Sequence, residues 1–168
     1  MNQALIDAKK EMDDLISNMK TVILGTVSKE GEPNSSYAPS IIDSNGNYFI
    51  YISNLSKHTL NLLDTPSLSI MIIDDESKTD NIFARRRLTM NASSVIVDRN
   101  SDKWNEVIAV MEDRLGETIS FLKDMTDFHM FKLKPQDGLL VHGFAKAFKL
   151  SAKDFSLIHL NDQGHTKE

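Results

Sequence analysis

The stretch "SNGNYFIYIS" (44–53) carries the clearest indication of fold in this chain. Asn45-Gly46 is the dipeptide best suited to a type I′ turn, and the aromatic, β-branched run after it favours a strand. A second strand pattern, "SSYAPSIID" (35–43), precedes the turn. It contains Pro39, which indicates an edge or a bulge because proline cannot donate to a sheet ladder. We therefore predict a β-hairpin at this place in the chain.

Further patterns predict helices and strands on both sides of this hairpin. Apolar residues at three- and four-residue spacings indicate an amphipathic helix over 4–19. Ser56 is suited to cap a short helix that stops before Pro66, and Ser101 or Asp102 a longer one. The other predicted elements are strands at 21–28, 67–74, 85–99, 127–135 and 139–150, a turn at 136–138, a helix end at Gly116, and helices at 117–125 and 151–160.

The number and connection of the strands predict the fold class. About seven strands, joined mainly by hairpins and flanked by helices, favour an antiparallel barrel over a parallel doubly wound sheet. A length of 168 residues is ordinary for one domain. We expect a single domain over 1–168, without internal repeats.

Composition excludes several classes of protein. The chain has no cysteine, so disulfides, thiolate zinc sites, iron–sulfur clusters and cysteine nucleophiles are excluded. A net charge of −5 argues against broad binding to nucleic acid. Acidic residues in the first 20 positions do not fit a secretory signal, and the run "IMII" (70–73) is too short to cross a membrane. We expect a cytoplasmic protein without membrane insertion.

The motif "ARRRL" (84–88) is a candidate anion site. On a strand it places Arg85 and Arg87 on one face and Arg86 on the other, and guanidinium groups bind phosphate or carboxylate with two hydrogen bonds. The alternative is a charged, solvated edge strand.

A second candidate anion site lies at the start of the short helix. Ser56, Lys57 and His58 fall there, where free N–H groups and the helix dipole favour a negative charge. Signatures of common hydrolases, nucleotide-binding loops and metalloproteases are missing from the sequence.

The closing stretch "HLNDQGHTKE" keeps two histidines, His159 and His165, in a polar tail. They are surface residues or ligands of a metal such as iron, copper, nickel or zinc. A zinc site with Asp162 is a minor alternative, because the tail spacing lacks a second ligand cluster. His129 and His142 lie in strand patterns and favour structural roles.

Several stretches together resemble the HugZ/HutZ haem-utilisation family of the flavin-binding split-barrel superfamily, typified by pyridoxamine 5′-phosphate oxidase. They are "LGTVSKEGEPNSSYAPS", "YISNLSKHTLNLL", "IFARRRLT", "DFHMFKLKPQDGLLVHGFAKAF" and the final "HLNDQGH", in the same order over nearly the whole chain. The most specific are "FARRRLT", "DFHMF" and Gly164-His165. One departure is Ala145, where the family pattern leads us to expect glycine.

The resemblance implies a split β-barrel that forms a homodimer and binds haem at the subunit interface. In this family the histidine of the terminal Gly-His is the axial ligand of the haem iron, which here is His165 and not His159. A tail over about 160–168 would then become ordered with haem.

The resemblance also implies the remaining site residues. His58 and Asp127 correspond to a pair that interacts across the subunit interface, and we predict catalytic roles for both, although a purely structural bond stays open. The other predicted cofactor-binding residues are Arg85, Arg87, Lys57, Ser56, Thr26 and Tyr37.

The activity implied is oxidative opening of the porphyrin ring, with O2 and an external electron donor, to release iron. One alternative is an FMN-dependent oxidoreductase with its phosphate at Ser56-Lys57 and the arginines, and another is a non-catalytic haem carrier. The terminal histidine favours haem, since a flavin needs no axial ligand.

Overall fold

The computed structural model describes residues 2–160, which contain eight strands and four α-helices. The elements in chain order are α1 (Gln3–Asn18), β1 (Thr21–Val27), β2 (Pro33–Ile42), β3 (Tyr48–Ser53), α2 (Lys57–Asp64), β4 (Ser67–Ile73), short 3-10 turns at Glu76–Lys78 and Ile82–Ala84, β5 (Arg87–Val97), α3 (Asp102–Leu115), α4 (Thr118–Leu122), β6 (Phe128–Val141), β7 (Ala147–Leu150) and β8 (Leu157–His159). None of the helices in this part of the chain is both long and apolar enough to cross a membrane.

The eight strands form one sheet in the order β3-β2-β1-β4-β5-β6-β7-β8, and β3 also pairs with β6. This additional pairing is antiparallel and joins Tyr48 to Leu133 and Ser53 to Phe128. It closes β1 to β6 into a six-stranded antiparallel barrel, which confirms the predicted fold class.

The described chain groups into two compact units. Residues 2–18, 71–90 and 136–160 form the terminal unit, and residues 19–70 and 91–135 form the central unit. The single domain over 1–168 stays a prediction.

The core of the central unit is built on β3. Phe49 and Tyr51 pack in one cluster with Trp104, Ile108 and Met111 of α3. All of these side chains are buried to 6% exposure or less. A strand that pairs on both edges and buries both faces has a continuous run of apolar residues in its sequence. The run "YFIYI" of β3 is of this kind.

The predicted hairpin is confirmed, but the prediction of a type I′ turn is wrong. The β2–β3 pairing ends at Ile42 and Tyr48, so the loop has five residues. Gly46 has a φ of +78°, whereas Asn45 is not left-handed as a type I′ turn requires. The Asp43 carboxylate accepts from the backbone N–H of Asn45 and Asn47, and these bonds favour the wider loop.

The position of Pro39 explains why a proline is tolerated in β2. Residues 33–39 pair with β1, and pairing with β3 begins only at Ser40. Pro39 therefore stands where one edge of the strand still lacks a partner strand in the described chain, so its missing N–H interrupts no ladder.

Most of the predicted helices are confirmed with their ends. Ser101 caps α3 by accepting from the Trp104 N–H at 3.2 Å, and Gly116 ends it with a φ of +91°. Ser56 is the N-cap residue of α2, but its hydroxyl makes no capping bond.

The C-terminal predictions are partly wrong. Strand β6 continues through 136–138, where a turn was expected, and the predicted strand 139–150 is interrupted by a turn at 142–146. In place of the predicted helix 151–160, β8 pairs with β7. Pairing with an available strand edge outweighed the local helix signal. The strand expected from Arg85 begins at Arg87.

Candidate functional site

A cavity of about 500 Å³ lies in the central unit, between β2, β3, α3 and α4. Its walls are mainly apolar and include Met111 of α3 and Ile119 of α4. Its polar lining includes Tyr37, Ser53, Ser56 and His58. Three of the residues predicted from the sequence, Tyr37, Ser56 and His58, therefore meet at one cavity.

His58 lies in the first turn of α2 and is 9% exposed. Its Nδ1 is 2.9 Å from the Ser36 hydroxyl. Its Nε2 is buried and has no hydrogen-bond partner in the described part of the chain. Burial lowers the pKa of His58 below its ordinary value, so the ring is neutral at pH 7 and one nitrogen can accept a proton.

Asp127 directly precedes β6 and is held by the end of β3. Its carboxylate accepts from the Ser53 hydroxyl at 2.7 Å, and its carbonyl accepts from the Asn54 N–H at 2.8 Å. Ser53 lines the cavity, so its hydroxyl connects the Asp127 carboxylate to the cavity wall. Within residues 2–160, no hydrogen bond joins Asp127 to His58.

Thr26 is not among the cavity residues. It is 3% exposed, and its hydroxyl accepts from the Asn61 amide of α2 at 3.0 Å. The Lys57 ammonium is 3.8 Å from the Glu32 carboxylate, and both side chains are more than half exposed. At the start of α2, Lys57 is thus exposed and the Ser56 hydroxyl makes no capping bond, whereas Thr26 fixes the helix to β1.

Of the three consecutive arginines, Arg86 is structural. Its guanidinium lies 2.7 Å from Asp74, 2.7 Å from Glu11 and 2.8 Å from Asp14. The hydrogen bond with Asp74, aided by the two other carboxylates, raises its pKa despite partial burial. These bonds fasten α1 to the end of β4 within the terminal unit.

Arg85 and Arg87 differ in their partners. Arg85 donates to the Asp74 carbonyl at 2.6 Å and to the Glu76 carboxylate at 3.0 Å. Arg87 donates to the Arg85 carbonyl at 2.9 Å, and no described carboxylate pairs with it. Arg87 is therefore the arginine of this motif with donors available for a ligand anion.

The predicted iron ligand His165, with Gly164 and Asp162, lies outside the described residues. His159 lies in β8 with its ring stacked on Phe148 at 4.3 Å and its Nε2 buried. It has a packing role in the terminal unit. No group of three metal-binding side chains occurs within residues 2–160.

Sequence reasoning missed Ser36 and Ser53, which position His58 and Asp127. They lie 22 and 74 positions from their partners. No local pattern could indicate such pairs, because the packing of α2 on β2 brings Ser36 to His58 and the register of β3 with β6 brings Ser53 to Asp127.

Comparison with known proteins finds relatives over most of the chain. The family model for pyridoxamine 5′-phosphate oxidase matches residues 8–142. A Vibrio cholerae protein named heme oxygenase HutZ is 42% identical over 94% of this chain and 89% of its own length. The chloroplastic non-canonical heme oxygenase HOZ of Arabidopsis thaliana is 26% identical over 91% of this chain and 46% of its own.

Solved structures give the same family. The crystal structure of Vibrio cholerae HutZ, described as a heme storage protein, has a TM-score of 0.77 at 42% identity and covers 82% of this chain and 96% of that one. Campylobacter jejuni ChuZ has a TM-score of 0.87 at 27% identity, over 97% of this chain and 66% of that one. The chain therefore belongs to the HugZ/HutZ family of the pyridoxamine 5′-phosphate oxidase-like split-barrel superfamily.

Proposed function

We propose that this protein binds haem and opens its porphyrin ring oxidatively, with O2 and an external electron donor, to release iron. The observation that carries the proposal is the extensive identity with the Vibrio relative named a heme oxygenase. We also propose that the protein acts as a homodimer, as the family resemblance implies, and that it acts in the cytoplasm.

The residues of the terminal unit fit a haem ligand. Arg87 has guanidinium donors without a carboxylate partner in the described chain, which suits a propionate. Arg85 is the weaker candidate, because Glu76 already neutralises it. We assign the axial ligand to His165 by family resemblance. Once reduced, bound haem supplies the redox chemistry for the attack of O2 on the ring.

The residues of the central unit fit a supporting role in hydrogen bonding. The buried Nε2 of His58 has no described partner, and an unsatisfied buried polar atom costs about 1–3 kcal/mol. We propose that Asp127 of the partner subunit satisfies it in the homodimer. Asp127 and His58 would then orient each other and adjust the hydrogen bonding near the reacting ring.

Two alternatives have support from particular observations. The match to the pyridoxamine 5′-phosphate oxidase family model favours an FMN enzyme, with the phosphate near Ser56 and Lys57. The description of HutZ as a heme storage protein favours a haem carrier that does not degrade its ligand.

Absorption spectra of the purified protein with haem and with FMN separate these functions. We expect a histidine-ligated Soret band that bleaches when ascorbate is added in air with catalase present, together with release of chelatable iron. A Soret band that persists for many minutes indicates a carrier. Tight stoichiometric FMN binding without haem affinity indicates the flavin enzyme.

Variants test the assigned residues. His165→Ala should abolish the histidine-ligated Soret spectrum, whereas His159→Ala should keep it. Asp127→Asn should slow ring opening more than it weakens haem binding, because its hydrogen bond acts mainly on the reacting state. Asp124→Asn is the matched control, since Asp124 is an exposed acid on the same loop. Equal slowing by both variants would contradict a specific role for Asp127.

A further inference from the structure

Two large aromatic side chains of the terminal unit are exposed to solvent. Phe83, in the 3-10 turn before the arginines, is 87% exposed, and Phe144, in the turn between β6 and β7, is 76% exposed. Both line a cavity of about 370 Å³ together with Ala84, Val141, Lys146 and Ala147. We name it the Phe83–Phe144 cavity. Exposed apolar surface around a cavity is typical of a binding site.

The turn that presents Phe144 has a strained backbone. The His142 N–H donates to the Lys146 carbonyl, and the Lys146 N–H donates to the Gly143 carbonyl, both at 3.1 Å. Ala145 has a φ of +57°, which costs an alanine about 1–2 kcal/mol. A strained turn that keeps a phenylalanine in solvent is destabilising by itself, so a functional reason is expected.

The length of the chain beyond β8 brings the proposed iron ligand within reach of this cavity. The Leu160 N–H donates to the carbonyl of Ala147, which is a wall of the cavity, at 3.0 Å. His165 is five residues further along the chain. Five residues span at most about 18 Å even when fully extended. An iron atom bound by His165 can therefore lie no farther from Leu160 than this span plus the length of the histidine side chain.

The tail itself does not match the cavity in polarity. Residues 161–168 read "NDQGHTKE" and contain no aliphatic or aromatic hydrocarbon side chain. They therefore offer two phenylalanine rings much less apolar surface than a flat apolar ligand does. A porphyrin is planar and apolar over most of its area, which fits the two exposed rings.

The charge at the cavity matches the carboxylates of a haem. The Lys146 side chain lies over Gly143, where an added Cβ would be 3.1 Å from the Lys146 Cδ. No ion pair of Lys146 occurs within the described chain, so its ammonium group can pair with a propionate. Arg87, in the same unit, likewise has no described carboxylate partner.

We infer that the Phe83–Phe144 cavity receives an apolar face of the porphyrin whose iron His165 binds, with Lys146 pairing with a propionate. This inference rests on the proposed function, because it uses the same haem. It adds a contact for the macrocycle that does not depend on the iron. Protoporphyrin IX without iron should therefore bind the same cavity weakly.

The test measures the affinity of the full chain for haem and for protoporphyrin IX by absorbance and fluorescence titration. Phe83→Ala and Phe144→Ala should each raise both dissociation constants about 10-fold, because each removes one buried ring from the complex. Phe121→Ala, which removes a ring that is 66% exposed in the central unit, is the matched control and should change neither. The Soret position of the Phe variants at saturating haem should stay that of the parent protein.

His165→Ala separates this inference from the proposed function. It should abolish the histidine-ligated spectrum while leaving the affinity for protoporphyrin IX within about 2-fold, since no iron is present to be ligated. If His165→Ala removes the spectrum but neither Phe variant changes either affinity, the inference is wrong and the proposed ligand stands. If the Phe variants alter only sedimentation of the haem-free protein, a second copy covers the cavity and the inference is also wrong.

Discussion

The Ser53 hydroxyl donates a 2.7 Å hydrogen bond to the Asp127 carboxylate, across the paired ends of β3 and β6. The same oxygen accepts from the Leu55 N–H at 3.1 Å. Ser53 therefore links the orientation of Asp127 to the backbone that leads into α2. This arrangement keeps the carboxylate of a proposed functional residue in one position, and residues 2–160 provide no ion pair to it.

Ser53→Ala should slow haem ring opening about 10-fold, the effect typical of losing an outer positioning partner. Haem affinity should stay unchanged, since Ser53 is not among the proposed ligands. The measurement is the rate of Soret bleaching with ascorbate at saturating haem. Ser53→Thr keeps the hydroxyl and should restore most of the rate. A full rate in Ser53→Ala with lowered stability would mean that the bond is only structural.

Thr26→Val should destabilise the fold by about 1–3 kcal/mol, because it leaves the buried Asn61 amide without its 3.0 Å partner. Urea unfolding followed by circular dichroism measures this loss. The double variant Thr26→Val, Asn61→Leu removes both polar groups and should recover part of it. A drop in haem affinity without any loss of stability would instead place Thr26 at the ligand, as the sequence suggested.

Local signals account for the parts of the fold that could be predicted. The Asn45-Gly46 loop, the Ser101 cap and the Gly116 stop each depend on a few neighbouring residues, and their elements are where they were expected. Strand β8 was missed because its hydrogen bonds are made to β7, which no local pattern specifies. The first part of the predicted helix 151–160 is instead a turn, and Phe155 after it has a φ of +55°.

The candidate site shows the same division. The motif "ARRRL" predicts an anion site, which stays a prediction, and the sequence alone does not distinguish Arg85 from Arg87. The distinction depends on Glu76, which occupies Arg85. Side-chain competition of this sort is decided by the three-dimensional arrangement of charges and not by residue order.

Ala145→Gly should stabilise the protein by about 1 kcal/mol, because glycine adopts the observed φ of +57° without steric cost. Thermal or urea unfolding of the haem-free protein measures the change. Gly46→Ala is the reciprocal control: its φ is +78° and an added Cβ meets no atom within 4 Å, so only backbone strain should appear. It should lose a similar amount. No gain in Ala145→Gly would mean that the turn relaxes without strain in solution.

His142→Phe should make stability less dependent on pH. The ring of His142 stacks on Phe148 at 5.3 Å, and its Nε2 is buried without a described partner. Burial, and next the charge of Lys146, lowers its pKa below the ordinary value of 6.5, while Glu11 and Asp7 oppose this shift. The folded protein therefore holds fewer protons than the unfolded chain once the pH falls below about 6.5.

The free energy of unfolding of the parent protein should accordingly decrease as the pH drops from 6.5 toward the lowered pKa, and then level off. The pKa of His58 is also lowered by burial, so His58 contributes a similar decrease.

His142→Phe should reduce the slope of unfolding free energy against pH by up to about 1.4 kcal/mol per pH unit. It should also keep the ring stack, so its stability at pH 7 should be equal to or higher than that of the parent protein. His142→Asn should flatten the slope equally but lose stability at pH 7, because the stack is gone. Urea unfolding at pH 5 to 8 measures both, and an unchanged slope in both variants would show that His142 does not titrate differently in the folded state.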